Sequence, residues 1–147
     1  MGCWNQVHNL TTIEGEKDFI SLHLIDSIAV LPVLRRFLKD SSPRIADLGS
    51  GGGLLAIPIA ILQPEWRLTL IEAIRKKTAF LQHVRGKLKP KNIEVLSERV
   101  EYVAVQQLGQ FDAVISRAFS KPCTFFRVVF ALSKARRPCF CNESQAC

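Results

Sequence analysis

The sequence predicts an α/β fold built on a parallel sheet, and three observations carry that prediction. From residue 44 onward, short apolar segments alternate with segments whose apolar residues recur at helical spacing. A glycine-rich run, Gly49-Ser50-Gly51-Gly52-Gly53, follows the first short segment. An acid, Glu72, closes the second, 23 residues after Gly49. Strands that alternate with helices imply right-handed βαβ crossovers, and sheets of that kind bind ligands outside the carboxyl ends of their strands.

In chain order, residues 17–31 read as an amphipathic helix, with Phe19, Leu22, Ile25, Ile28 and Ala29 at helical spacing. Pro32 ends or kinks it, and a short helical segment follows to Leu38. Asp40-Ser41-Ser42-Pro43 is a turn. Residues 44–48 form a short buried strand that leads into the glycine loop. Residues 57–62 are helical, with Pro58 tolerated in the first turn and Pro64 closing the segment. A second strand spans residues 67–71. A longer helix covers residues 74–89, with Phe80, Leu81, Val84 and Leu88 on one face. A third strand (93–96), a helix (99–106) and a fourth strand (111–116) complete the alternation.

At 147 residues the chain is at most one domain. Hydrophobic residues at 48% and charged residues at 22% exclude a disordered composition. No apolar run approaches the roughly 20 residues of a membrane span, and the first residues carry no leader pattern, so a cytoplasmic protein without membrane attachment is expected. The formal charge of +7 divides unevenly: residues 121–147 hold five basic residues and one acid. A second basic cluster, Arg75, Lys76, Lys77, Arg85, Lys87, Lys89 and Lys91, lies in a stretch with no acid from Ala73 to Lys91. It reads either as a solvated helix face or as a phosphate-contacting patch. Cations in the first turn of a helix oppose the macrodipole, which favours the second reading for Lys76 and Lys77. Cys123, Cys139, Cys141 and Cys147 crowd the end of the chain without zinc-ligand spacing, and no metal is expected.

The chemistry centres on Asp47 and the loop behind it. Glycines at 49, 51 and 53 permit positive φ and let a ligand approach the backbone. A dinucleotide fingerprint needs its third glycine at position 54, where Leu54 stands. Asp47 would repel a pyrophosphate and attract an ammonium, which favours S-adenosylmethionine over a nicotinamide dinucleotide. Glu72, at the end of the second strand, is placed to accept both hydroxyls of a ribose. The competing reading gives the glycines to tight strand–helix packing alone.

Four segments in order add specificity: Trp4-Asn5-Gln6-Val7-His8-Asn9-Leu10-Thr11, His23-Leu24-Ile25-Asp26-Ser27, Ile45-Ala46-Asp47-Leu48-Gly49-Ser50-Gly51 and Phe111-Asp112-Ala113-Val114-Ile115-Ser116-Arg117-Ala118-Phe119. Together they resemble the small-subunit ribosomal RNA methyltransferase G family, also called glucose-inhibited division protein B, from Trp4 to about Ser120. The resemblance implies a Rossmann-like class I S-adenosylmethionine-dependent methyltransferase fold, here with a partial parallel sheet lacking its C-terminal strands. It implies methylation of N7 of a guanine in small-subunit (16S) ribosomal RNA, with that RNA or the small ribosomal subunit as partner; a monomer is expected. By the same resemblance Gly49 and Leu54 touch the cofactor, Val100 and Glu101 border the adenine, and Arg117 lies by the methionine end. Each has a structural alternative: Glu101 as a helix-surface acid, Arg117 as an ion-pair partner, and His23 with Asp26 as a satisfied pair on one helix face rather than, with Asn9, a wall of the substrate pocket.

Guanine N7 has an in-plane lone pair and no proton, so no catalytic acid or base is expected; alignment and exclusion of water suffice. The chain departs from the family pattern in three places. Met1 stands three residues before Trp4, Ala56 replaces a usual glycine, and the sequence after Ser120 lacks the expected helix, glycine turn and strand. The expected organisation is therefore an incomplete methyltransferase domain (1–120) followed by a divergent, possibly frame-shifted tail (121–147), truncated at both ends and with little activity of its own. An inactive fragment or a non-catalytic cofactor- or RNA-binding module is the alternative.

Overall fold

A computed structural model describes residues 25–106 and 109–117, with the backbone alone at residues 26 and 104–106. The motif at residues 4–11, Asn9, His23, most of the predicted first helix and everything after Arg117 lie outside the described residues.

Two short helices, α1 (Ile25–Ala29) and α2 (Leu31–Phe37), precede the sheet. The break falls at Val30, and Pro32 sits in the first turn of α2, where its missing N–H costs nothing. There follow β1 (Arg44–Leu48), α3 (Ala56–Leu62), β2 (Arg67–Ile71), α4 (Arg75–Leu88), β3 (Ile93–Leu96), α5 (Val100–Gln106) and β4 (Ala113–Ile115). The predicted bounds of the first three strands agree with the structure. The fourth is shorter than predicted, with Phe111 held by an isolated bridge.

All strand pairs are parallel, in the order β3-β2-β1-β4 among the described residues. The register sets Asp47 beside Leu70 and Ile115, so β1, β2 and β4 end nearly level. Both faces of the sheet are buried, and the pleat sorts the side chains between them. Ile45, Leu68, Leu70, Ile93, Val95, Ala113 and Ile115 pack with Leu31 and Leu34 of α2, Ala56, Ile59 and Ala60 of α3, and Leu81 of α4. Their neighbours Ala46, Leu48, Ile71 and Val114 turn to the other face, against Val100 and Val103 of α5 and Phe111. Burial on both sides explains why these strands read as continuous apolar runs rather than as alternating ones.

On α4 the predicted apolar face is only half engaged. Phe80 and Leu81 are buried, Val84 is half-buried and Leu88 is 54% exposed. Lys89 ends α4 in the left-handed conformation (φ 49°), a position that usually takes glycine. Asn92 then holds the bottom of the sheet together: its Nδ2 donates to the carbonyls of Ala60, Gln63 and Trp66 at 3.0, 3.1 and 3.0 Å.

Candidate functional site

The carboxyl ends of β1 and β2, the glycine loop and the entry to α4 enclose a cavity of about 310 Å³ lined mostly by polar surface. Asp47, Gly49, Ser50, Gly51, Gly52, Leu54, Leu55, Glu72, Lys77 and Arg117 line it.

The loop is fixed before any ligand arrives. Gly49 and Ser50 both donate their N–H to the carbonyl of Ile71, at 2.9 and 3.2 Å, which ties the loop's start to the end of β2. The Ser50 hydroxyl donates to the Asp47 carbonyl at 2.9 Å, and Gly53 N–H closes a turn on the Ser50 carbonyl at 2.8 Å. Gly49, Gly51 and Gly53 all have positive φ. Two of them serve different ends. A Cβ on Gly51 would meet only the Gly49 carbonyl at 3.9 Å, so its requirement is conformational. A Cβ on Gly53 would stand 2.5 Å from Ile57 Cδ1 and 2.7 Å from Leu81 Cδ2. Gly53 is therefore a packing glycine, seating the loop on α3 and α4, and it does not line the cavity.

Glu72 is 6% exposed, and both its oxygens accept backbone N–H groups: Oε2 from Gly51 at 2.9 Å, Oε1 from Ile74 at 2.9 Å. The carboxylate thus braces the glycine loop to the start of α4. Each oxygen keeps a further lone pair for a ligand hydroxyl. Thr78 Oγ1 strengthens the same corner through the carbonyls of Glu72 and Ile74, both at 3.2 Å. On the other flank, Ser116 Oγ donates to the Leu48 carbonyl at 2.8 Å and fixes the end of β4, from which Arg117 reaches the cavity.

Asp47 is the electrostatic anomaly. It is 2% exposed, and among the described residues its Oδ2 has no hydrogen-bond partner. Burial pushes its carboxyl up to about 7, outweighing the relief from the Ser50 hydroxyl and the Arg117 guanidinium, and the Glu72 carboxylate adds to the rise. An orphaned buried carboxylate at a cavity wall is a costly arrangement that a cationic ligand group would satisfy.

Of the residues singled out in the sequence, the cavity gathers Asp47, Gly49, Gly51, Leu54, Glu72, Lys77 and Arg117. Others stand apart. Val100 is packed in the core against Leu48, Ile71 and Phe111, and Glu101 is exposed at the start of α5. Lys76 is exposed beside Lys77 in the first turn of α4 and does not line the cavity. Asp26 lies in α1, while Asn9 and His23 fall outside the described residues. Ser50, Gly52 and Leu55 also line the cavity without having been singled out; their adjacency to the 49/51/53 glycines was the available signal. Ala56, the departure from the family's usual glycine, begins α3 with its methyl fully buried among Ile45 and Leu70 neighbours, a place that accepts one carbon.

This fold recurs in known proteins. The chain is similar to M. jannaschii TYW2, solved in complex with AdoMet (TM-score 0.63, 17% identity, 83% of this chain and 51% of that one). It is likewise similar to a putative S-adenosyl-L-methionine-dependent methyltransferase from Methanococcus maripaludis (TM-score 0.63, 18% identity, 84% and 63%). At such identities the likeness speaks to the fold, which is Rossmann-like and of the class I methyltransferase kind. Sequence comparison goes further. The chain is 73% identical over 131 residues to a ribosomal RNA small subunit methyltransferase G of Polynucleobacter asymbioticus, and 46% identical over 125 residues to that of Nitrosospira multiformis. The alignments cover 89% and 85% of this chain but 59% and 54% of those relatives, so the chain spans little more than half their length. The family model GidB, rRNA small subunit methyltransferase G, matches residues 1–140. With that match spanning the glycine loop, the Glu72 brace and the β4 end alike, the chain belongs to the rRNA small subunit methyltransferase G family.

Proposed function

We propose that the cavity at the carboxyl ends of β1 and β2 binds S-adenosylmethionine and serves methyl transfer to N7 of a guanine in small-subunit ribosomal RNA. The observation that carries this reading is the pairing of two buried carboxylates on one cavity. The orphaned Oδ2 of Asp47 suits an ammonium, and the Glu72 carboxylate, held open-handed by two backbone N–H groups, suits a ribose diol. The donor set therefore fits the cofactor at both its ends.

Bound there, S-adenosylmethionine supplies an electrophilic methyl group. The chain's own residues orient and enclose. Asp47 would neutralise the ammonium, Gly49 and Gly51 would present backbone at close range, and Leu54 would add an apolar wall. Arg117, at the end of β4, suits a carboxylate. Val100 and Glu101 are retained as adenine neighbours on the family resemblance, and Asn9, His23 and Asp26 as substrate neighbours on the same ground. Lys77 on the rim, with Lys76 beside it, would meet RNA phosphate. Because guanine N7 attacks with a lone pair and carries no proton, these residues need not move one. Their contribution is alignment. The division at residue 120 into a methyltransferase part and a divergent tail also belongs to this proposal, as do action as a monomer and a cytoplasmic location.

The test uses the chain and a chimera in which residues from 118 onward are replaced by the matching part of the Polynucleobacter relative. Each is incubated with S-adenosylmethionine and small-subunit ribosomal RNA, and the digested RNA is searched by mass spectrometry. The chimera should yield 7-methylguanosine, at one site, with RNA preferred over free guanosine. Methyl transfer to protein or small molecules with none to RNA would refute the reading.

A further inference from the structure

The basic cluster that is continuous in sequence is divided in space. Arg75, Lys76 and Lys77 open α4 beside the cofactor cavity, whereas Arg85 and Lys91 lie at its far end. The 14 residues of α4 place those ends about 20 Å apart. At the far end, Arg85 and Lys91 join Arg44 and Arg67, the first residues of β1 and β2, around an open basin of about 610 Å³ at the amino-terminal edge of the sheet.

Three features set this basin apart from an ordinary charged surface. Arg44 and Arg67 are register partners on adjacent parallel strands, so two guanidinium-bearing side chains leave the same face at neighbouring positions. Like charges so placed cost stability. Arg44 is also held, with its guanidinium 5.4 Å over the Phe111 ring. The floor is rigid: Asn92 clamps three carbonyls there, and Ser42 Oγ donates to the Glu65 carbonyl at 2.9 Å. Four cations on a fixed frame line the basin with two acids, Glu65 and Glu94, while a third acid, Asp112, accepts the Arg44 backbone N–H at 2.8 Å; among the described residues no ion pair neutralises Arg67, Arg85 or Lys91.

We infer that this basin is a second contact for the phosphate backbone of the RNA, on the opposite edge of the sheet from the reacting base. The inference rests on the RNA-substrate reading above. Arginine forks suit phosphate oxygens, and a folded ribosomal RNA offers phosphates across a 20 Å span where a small ligand does not. The basin lacks the exposed apolar face that a membrane-surface site would need. Its role is affinity and orientation: a contact this far from the cavity holds the RNA without touching the methyl transfer.

The probe is small-subunit ribosomal RNA, with affinity measured by filter binding at several salt concentrations. S-adenosylhomocysteine affinity is followed in parallel as a readout of an intact fold. The triple variant R67Q/R85Q/K91Q should bind RNA about tenfold or more weakly and lower the log–log salt slope by about 2, the expectation for three lost contacts to single-stranded phosphate. It should leave S-adenosylhomocysteine affinity unchanged. The variant K87Q/K89Q, altering exposed lysines of the same helix end outside the basin, should change RNA affinity less than twofold. The variant E65Q/E94Q should bind RNA more tightly, a gain that misfolding cannot produce. RNA affinity in the triple variant within twofold of the parent overturns the inference, as does an equal loss in K87Q/K89Q, which would mean diffuse charge rather than a site. A parent chain that binds S-adenosylhomocysteine but no RNA overturns the RNA reading and the inference together.

Discussion

Asp47 concentrates what a single residue does here. In the unfolded chain its carboxyl titrates near 3.8, and in the fold near 7, so folding takes up a proton between those values. Its contribution to stability is therefore fully present below about pH 3.8 and is lost as pH rises through 7. Replacing it with asparagine removes that loss. In thermal melts at pH 8, Asp47→Asn should raise Tm by roughly 4 °C or more. Cofactor affinity should move the opposite way. An ammonium partner selects the ionised carboxylate, so S-adenosylhomocysteine should bind the parent more tightly as pH rises from 6 through 7. Affinity should weaken again only at higher pH, once the ligand's own α-amine deprotonates. Asp47→Asn should bind weakly and lose the rise near pH 7. Titration calorimetry across this range checks both; a parent whose affinity is flat from pH 6 to 7.5 contradicts the assignment of the ammonium to Asp47. The place of this residue at the cavity wall was legible from its position before the glycines. Its raised carboxyl was not, because that depends on burial in the folded chain and on the charges of Arg117 and Glu72 around it, neither of which spacing can supply.

At the scale of elements, the glycine loop shows how a motif can mislead about its parts. The sequence presents Gly49, Gly51 and Gly53 as equivalent, yet only the first two line the cavity, while the third is pressed against Ile57 and Leu81. Gly53→Ala should accordingly destabilise the fold, by roughly 1–3 kcal/mol from overpacking with a further cost for the positive φ. Gly51→Ala should cost less in stability, since open space surrounds it, and more in cofactor affinity. Denaturant melts of the two variants beside calorimetry separate these effects, and a Gly53→Ala chain as stable as the parent would contradict the packing role. The strands were legible almost residue for residue, since burial on both faces leaves short apolar runs bounded by turns. Helix ends were less so. Residues 74–89 and 99–106 were predicted where α4 and α5 occupy Arg75–Leu88 and Val100–Gln106, because no side-chain cap marks the start of α4. Val100 shows the same limit: its place at the head of α5 was foreseen, but its packing with the core depended on the helix's rotation about its axis. The structure turns it to Leu48 and Phe111.

Across the molecule, the parallel sheet separates two edges of different character. The carboxyl edge carries buried carboxylates and a closed loop; the amino edge carries arginines on an open basin. About 16 Å of strand lies between them, five residues at 3.3 Å each. Among the described residues, the basic stretch from Arg75 to Lys91 is therefore divided between two places, which its linear order concealed. Among the described residues no helix is long and apolar enough to cross a membrane. Asn92 ties the amino edge together, and Asn92→Ala should take a donor from three carbonyls at once, of which Gln63's still accepts the Trp66 N–H. A loss of about 1–3 kcal/mol is expected, with cofactor affinity preserved, since the cavity lies at the other end of the strands. Equal damage to stability and binding would show that the two edges are not independent.

The central claim is that the Asp47–Gly49–Glu72 corner holds S-adenosylmethionine, and calorimetry with S-adenosylhomocysteine tests it most directly. The parent chain should bind one equivalent and ignore NAD. Gly49→Val should abolish the interaction by filling the space where backbone meets ligand, and Glu72→Ala should weaken it by about 1–3 kcal/mol, the worth of hydrogen bonds to a charged group. Unchanged affinity in both variants, or binding of NAD in place of S-adenosylhomocysteine, would contradict it.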